Sequence, residues 1–207
     1  MKDYLTLTTD ITIQKQTIEK SVFIAYCKGV KTVTEAVNFV NEITKKHYDA
    51  THNCYAYFVD GASKCSDDGE PSSTAGLPIY ESIKNAKLNN VCVVVTRYFG
   101  GIKLGTGGLV RAYGSSAMMA LQSAQKVQMS VCQKIEIQVN YSDYQIVKGY
   151  LSQNSEILST SFETDVIILS IAKISNVQKI CDHLIEKTSA RALVFKKEEL
   201  IYPLKEN

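Results

Sequence analysis

Residues 4–13 and 21–27, the latter reading "SVFIAYC", have the spacing of two strands that open the chain. At Thr32 the period changes. Thr32 and Glu35 have the T-x-x-E spacing of a capping box, and Val33, Ala36, Val37, Val40 and Ile43 then recur at helical intervals as far as His47. The run "HNCYAYFVD" at 52–60 is rich in aromatic and β-branched residues and predicts a strand, and the Gly, Ser, Asp and Pro of "DGASKCSDDGEP" predict a loop after it. A helix is expected from about Thr74 to Leu88, with Ile79, Ile83 and Ala86 on one side and Pro78 tolerated in its first turn. "VCVVVTR" at 91–97 is short and continuously apolar, as a strand buried on both faces should be. From Gly108 to about Lys126 small and apolar residues without alternation predict a helix packed closely on the sheet, weakened a little by Gly114.

Near residue 130 the pattern starts again. "VCQKIEIQVN" alternates as a strand, "SDYQIVKGYLSQN" reads as a helix capped by Ser142, and "SEILSTSFETDVIILSIAK" reads as two strands meeting near Glu163 and Thr164. "SNVQKICDHLIEKTSA" is a second capped amphipathic helix, and "RALVFKKEELIYPL" supplies a last strand. The order β-α-β-β-α-β is the ferredoxin-like pattern. The chain is therefore expected to be α+β with two domains, 1–128 and 129–207.

Composition narrows this picture more than it extends it. A net charge of +2, from 23 basic and 21 acidic residues, makes no global field that implies a nucleic-acid partner, so any attraction to phosphate must be local. Cys27, Cys54, Cys65, Cys92, Cys132 and Cys181 form no C-x-x-C pair, which excludes a zinc-ligand spacing and a small disulfide framework. They read as reduced thiols of a cytoplasmic protein. The start "MKDYLTLTTDITIQKQ" has no continuous apolar core of signal-peptide length, and no run approaches the ~20 residues that span a bilayer, so no membrane association is expected.

Two stretches carry candidate chemistry. "RYFGGIKLGTGG", from Arg97 to Gly108, joins the buried strand to the long helix and holds Gly100, Gly101, Gly105, Gly107 and Gly108. Such a turn aims backbone N–H groups and a helix start at an anion, with Arg97, Lys103 and Arg111 adding charge; the plainer alternative is a tight crossing that needs glycine only for packing. Nucleotide motifs fail. Gly100 to Gly105 has P-loop spacing, but Thr106 stands where lysine is required, and Val110 stands where the third glycine of a dinucleotide fingerprint would be.

The second stretch is "DDGEPSSTAG". Asp67, Asp68 and Glu70 are candidates for Mg²⁺ or for proton transfer, with Ser72, Ser73 and Thr74 at the expected helix start, although a solvated acidic turn with a Ser/Thr cap explains the same residues without a metal. His47 and His52 fall on a helix end and a strand start and so share no helical face as metal ligands would; structural histidines are the simpler reading. Nothing in the spacing supports a nucleophile pair of Cys65 with a histidine.

Three stretches, "SVFIAYCKGVKTVTEAVNFVNEITKKHYDATHNCYAYFVD", "SDDGEPSSTAGLPIY" and "VVVTRYFGGIKLGTGGLVRAYGSSA", resemble in order and spacing the IMPACT family over about residues 20–121, and the tail resembles the small carboxy-terminal domain of its bacterial members. The resemblance implies a first domain with the fold of the second domain of a small-subunit ribosomal protein, containing a left-handed β-α-β crossover against the usual rule. It implies a second domain similar to the last domain of elongation factor G. Eukaryotic members of the family regulate translation.

Two functions are compatible with these residues. One is a non-enzymatic cytoplasmic module docking on RNA or a ribosome-associated protein, with Tyr98 and Phe99 available to stack bases, although a pair beside a buried strand equally suits the core. The other is a small-phosphate or nucleotide-binding enzyme in which "GIKLGTGG" imitates the phosphate loop of GHMP kinases and the acidic loop holds Mg²⁺. Both expect the two stretches to meet, with Thr74 and the glycine amides of 100–108 donating hydrogen bonds, and with Asp67, Asp68 and Glu70 facing Arg97, Lys103 and Arg111. Simple pairing of those acids with those cations would make the contact structural.

Overall fold

A computed structural model describes residues 1–204. In chain order the elements are β1 (Tyr4–Leu7), β2 (Thr12–Ile18), β3 (Ser21–Gly29), α1 (Val33–Lys46), β4 (His52–Val59), β5 (Ala62–Ser66), α2 (Gly76–Asn85), β6 (Val91–Tyr98), α3 (Gly105–Ser123), β7 (Lys126–Val139), α4 (Tyr144–Asn154), β8 (Glu156–Phe162), β9 (Val166–Lys173), α5 (Ile174–Lys187) and β10 (Leu193–Tyr202). They form two compact units. One is Leu5–Val127, and the other joins Met1–Tyr4 to the chain from Gln128 onward. The expected division at 128/129 leaves out that return of the first residues to the second unit.

In the first unit the sheet order is β2-β3-β6-β4-β5, with every neighbouring pair antiparallel. Alternation along the strands makes two cores. Phe23, Ala25, Cys27, Cys54, Ala56, Val91, Val93 and Val95 pack on α2 and α3, whereas Tyr26, Tyr57, Val59, Cys92 and Val94 pack on α1. β6 lies in the middle and is buried from Val91 to Arg97, as its unbroken apolar run requires. Glutamines of edge strand β2 tie it to α3: Gln14 donates to Ser123, and Gln16 donates to Ser115 and Ser116.

In the second unit β10, β7, β9 and β8 lie side by side, all antiparallel, in the 4-1-3-2 order of a ferredoxin-like βαββαβ domain. β1 also pairs with the long β7. Ile135, Ile137, Val139, Val166 and Ile168 form its core with Val147 and Leu151 of α4 and Val177, Ile180 and Leu184 of α5. Among the described residues, no helix is long and apolar enough to cross a membrane.

Several local expectations are corrected. The stretch 4–13 is two strands, because the chain breaks pairing at residues 8–11 between β1 and β2. Part of the predicted loop is strand β5, closed onto β4 through Asp60 and Gly61, both at positive φ (49° and 80°), as a two-residue hairpin turn demands. α3 starts at Gly105, not Gly108, so the glycine stretch includes the helix's first turn. Ser142 does not cap α4; its hydroxyl donates to Asn140, and Asp143 at the cap position is engaged by Arg191 instead. Nor does a side chain cap α5, which begins directly after Lys173. At α1 the expected cap is present, the Glu35 N–H donating to Thr32 Oγ1 at 3.1 Å.

Candidate functional site

The glycine stretch leaves β6 and is pinned at once on its inner side. The Phe99 N–H donates to Thr51 Oγ1 (3.0 Å), and the Gly100 N–H donates to Ser21 Oγ (3.2 Å). Gly100 lies so close to the β2–β3 hairpin that a Cβ there would come within 2.0 Å of the Lys20 carbonyl carbon. Gly101 has φ +84°, the left-handed region that glycine enters without strain. α3 then opens without a capping side chain, and the first N–H groups of such a helix have no partner within it.

The outer side of the turn is bare. Phe99, Gly101, Ile102, Lys103, Gly105, Thr106, Gly107 and Arg111 are exposed, and Gly100 and Gly108 are half-buried. Ile18, Glu19, Lys103, Gly108, Arg111 and Ser115 line a groove of about 470 Å³. Among the described residues neither Lys103 nor Arg111 has an ion-pair partner.

Arg97 is different from these two cations. Its side chain is 6% exposed and its Nη1 donates to Glu70 Oε1 at 2.6 Å, while Nη2 donates to Ser21 Oγ at 3.3 Å. The Tyr113 hydroxyl of α3 donates to the same Glu70 oxygen at 2.7 Å. Phe23 and Phe99 flank the guanidinium, their ring centroids 5.6 and 5.4 Å away. Arg97 Nε has no hydrogen-bond partner among the described residues. The expected anion-binding arginine is thus an internal tie, because β6 places residue 97 on the same face as Val91, Val93 and Val95, towards α3.

The acidic loop does meet the glycine stretch, through Glu70 and Arg97. Its carboxylates, however, are all occupied by protein donors. Asp67 Oδ1 accepts the Ala75 and Gly76 N–H groups (2.9 and 2.8 Å) and Oδ2 accepts that of Ser73 (2.8 Å), so Asp67 caps α2 from outside the helix. Burial alone would raise its pKa, but these backbone donors together hold it below the usual carboxylate value. Asp68 Oδ2 accepts the Asn53 N–H at 2.6 Å. The three carboxylates point at separate partners, and among the described residues no group of three or more His, Cys, Asp or Glu side chains is placed to hold a metal ion. The Mg²⁺ expectation for this loop therefore loses its ligands. Thr74 is buried too and donates to the Pro71 carbonyl at 2.6 Å, which removes it from the list of outward donors.

Both histidines have structural partners. His47 Nδ1 lies 2.9 Å from the Tyr98 hydroxyl, which itself donates to Asp49 Oδ1 at 3.0 Å, so Nδ1–H is the donor and Nε2 accepts from the Tyr26 hydroxyl. Burial, and next to it Lys46, hold His47 below the usual imidazole value. His52 Nδ1–H donates to the Asp68 carbonyl at 2.7 Å, and its Nε2 stands 3.8 Å from Glu70 Oε2. All six cysteines are free; Cys65 alone is exposed, and burial pushes the Cys27 thiol up to about 12. Ser21, Thr51 and Tyr113 shape the turn without having stood out in the sequence, since their contacts span 43 to 79 residues.

Fold and site define a class: a two-domain α+β protein whose first domain turns an acidic loop inward and a glycine-rich, basic turn outward. The Impact N-terminal domain matches at residues 19–121, which include both stretches. The chain is 43% identical over 164 residues to IMPACT family member YvyE of Bacillus subtilis, covering 72% of this chain and 73% of that protein. An IMPACT family member of Haemophilus influenzae is 32% identical over 204 residues, covering 94% and 97%. A solved structure described as that of a hypothetical protein superposes with a TM-score of 0.62 at 27% identity, over 96% of this chain and 98% of the other. The chain belongs to the IMPACT family.

Proposed function

We propose that the protein is a non-enzymatic binding protein of translation in the cytoplasm, and that it docks on RNA phosphates through the outer side of the glycine turn. The observation that carries this reading is the exposed pair Lys103 and Arg111, without an ion-pair partner among the described residues, beside the uncapped start of α3. Cations and free N–H groups in one place suit phosphate oxygens. The nucleotide-enzyme alternative needed an acidic loop open to a metal, and Asp67, Asp68 and Glu70 are turned to protein donors instead. Membership of a family whose eukaryotic members regulate translation points to the same cellular setting.

Phosphate-dominated binding weakens steeply with salt. Titration of a labelled RNA at several salt concentrations should give a straight line of log affinity against log salt, and Lys103→Ala with Arg111→Ala should lower its slope by about 2. The protein should also co-sediment with ribosomes at low salt. No RNA binding, or binding that salt does not weaken, overturns the proposal; retention on ribosomes with no affinity for RNA would assign the surface to a protein partner.

A further inference from the structure

We infer that the RNA taken by this surface is single-stranded and that one of its bases stacks on Phe99; the inference rests on the RNA reading above. Phe99 is 46% exposed at the end of β6, yet it is held in place. Its N–H is bonded to Thr51 Oγ1, the next residue is bonded to Ser21 Oγ, and the Arg97 guanidinium lies 5.4 Å from the ring centroid. Glu70 and Ser21 in turn fix that guanidinium. A rigid aromatic ring backed by a cation and open to solvent is a stacking platform that loses little freedom when a base covers it.

Ile102, 38% exposed and three residues along the chain from Phe99, lines one groove with Lys103, Arg111 and Glu19. A duplex would meet this surface with its sugar-phosphate backbone and keep its base faces stacked inside. Only the cations would then find partners, and Phe99 and Ile102 would lie against charged groups. A single strand offers a base face for the ring and phosphates for the cations together. Tyr98 is not a second platform: its hydroxyl is held by His47 and Asp49, and its ring packs edge-on to His47 with centroids 5.9 Å apart.

The chain contains no tryptophan, so Phe99→Trp supplies a single emission reporter at the proposed contact. With an oligouridine of about 12 nucleotides and an RNA duplex of the same length as probes, the intact chain should bind the single strand at least about tenfold more tightly. Phe99→Ala should lower single-strand affinity and remove most of that preference, and Phe99→Trp should restore it with quenched emission on binding. Circular dichroism of both variants should match that of the parent. Equal affinity for the two probes, or a Phe99→Ala variant that binds the single strand as the parent does, overturns the stacking inference and leaves the phosphate reading standing. Failure of both probes to bind overturns both.

Discussion

With its side chain 6% exposed, Arg97 keeps a charge where a lone guanidinium would be costly, and Glu70, itself 4% exposed, is the group that makes this tenable. The pair gains from being surrounded by further bonds, to Tyr113 on the acid and Ser21 on the base. Replacing one partner leaves the other charge buried and alone. Glu70→Gln is therefore expected to lower stability by about 3 kcal/mol, read from the urea midpoint. The double variant Glu70→Leu with Arg97→Met removes both charges and should cost clearly less than the two single changes added together. Additive losses would mean that the pair is not a unit. Arg97, Lys103 and Arg111 look alike as letters, and their separation into one internal and two external cations follows from parity along β6. That parity was readable, since 91, 93, 95 and 97 fall on one side of a strand. What it meets on that side was not, because Glu70 lies 27 residues away in a loop.

Between β6 and α3, the hairpin of β2 and β3 sets the path of the turn. Its tip, Glu19 and Lys20, takes positive φ (45° and 63°), and the Lys20 carbonyl carbon occupies the space that a side chain at 100 would need. Gly100→Ala should thus push the hairpin and the turn apart. Because the obstacle is backbone, the expected loss is about 2 kcal/mol or more, with the proposed RNA affinity reduced as well. Gly107→Ala meets only the flexible end of Arg111, 3.5 Å away, and serves as the control; an equal loss at both positions would contradict the close approach. Elements with a strong local period, such as α1 with its Thr32 cap and β6, were legible in the sequence. β5 is not legible, although Asp60-Gly61 is a hairpin signal, because five residues of "ASKCS" carry no hydrophobic alternation and their pairing with β4 decides their state. Similarly, the pattern predicts the start of α3 three residues late because glycine is a poor helix former, and only the chain's exit from β6 fixes where the helix begins.

On the scale of the whole molecule, the first unit holds both of its cores within residues 5–127, whereas the second is assembled from two separated pieces of chain. A fragment of residues 5–127 is expected to unfold in one cooperative transition by calorimetry. A fragment starting at Gln128 lacks Asp3, whose carboxylate accepts the Val131 N–H at 2.8 Å and pairs with Lys173 at 3.4 Å. It should melt below the same unit in the intact chain, and identical melting would show that residues 1–4 contribute nothing there. The joining of β1 to β7 also bears on how the protein emerges from the ribosome. Asp3 is translated 128 positions before its partner Val131. Closing so long a loop costs entropy that grows only with the logarithm of its length. The delay is one of synthesis, not of thermodynamics: Leu5 can pair with Leu88 as soon as that residue is made, but the tie at Asp3 stays undone until the second unit has begun to exist.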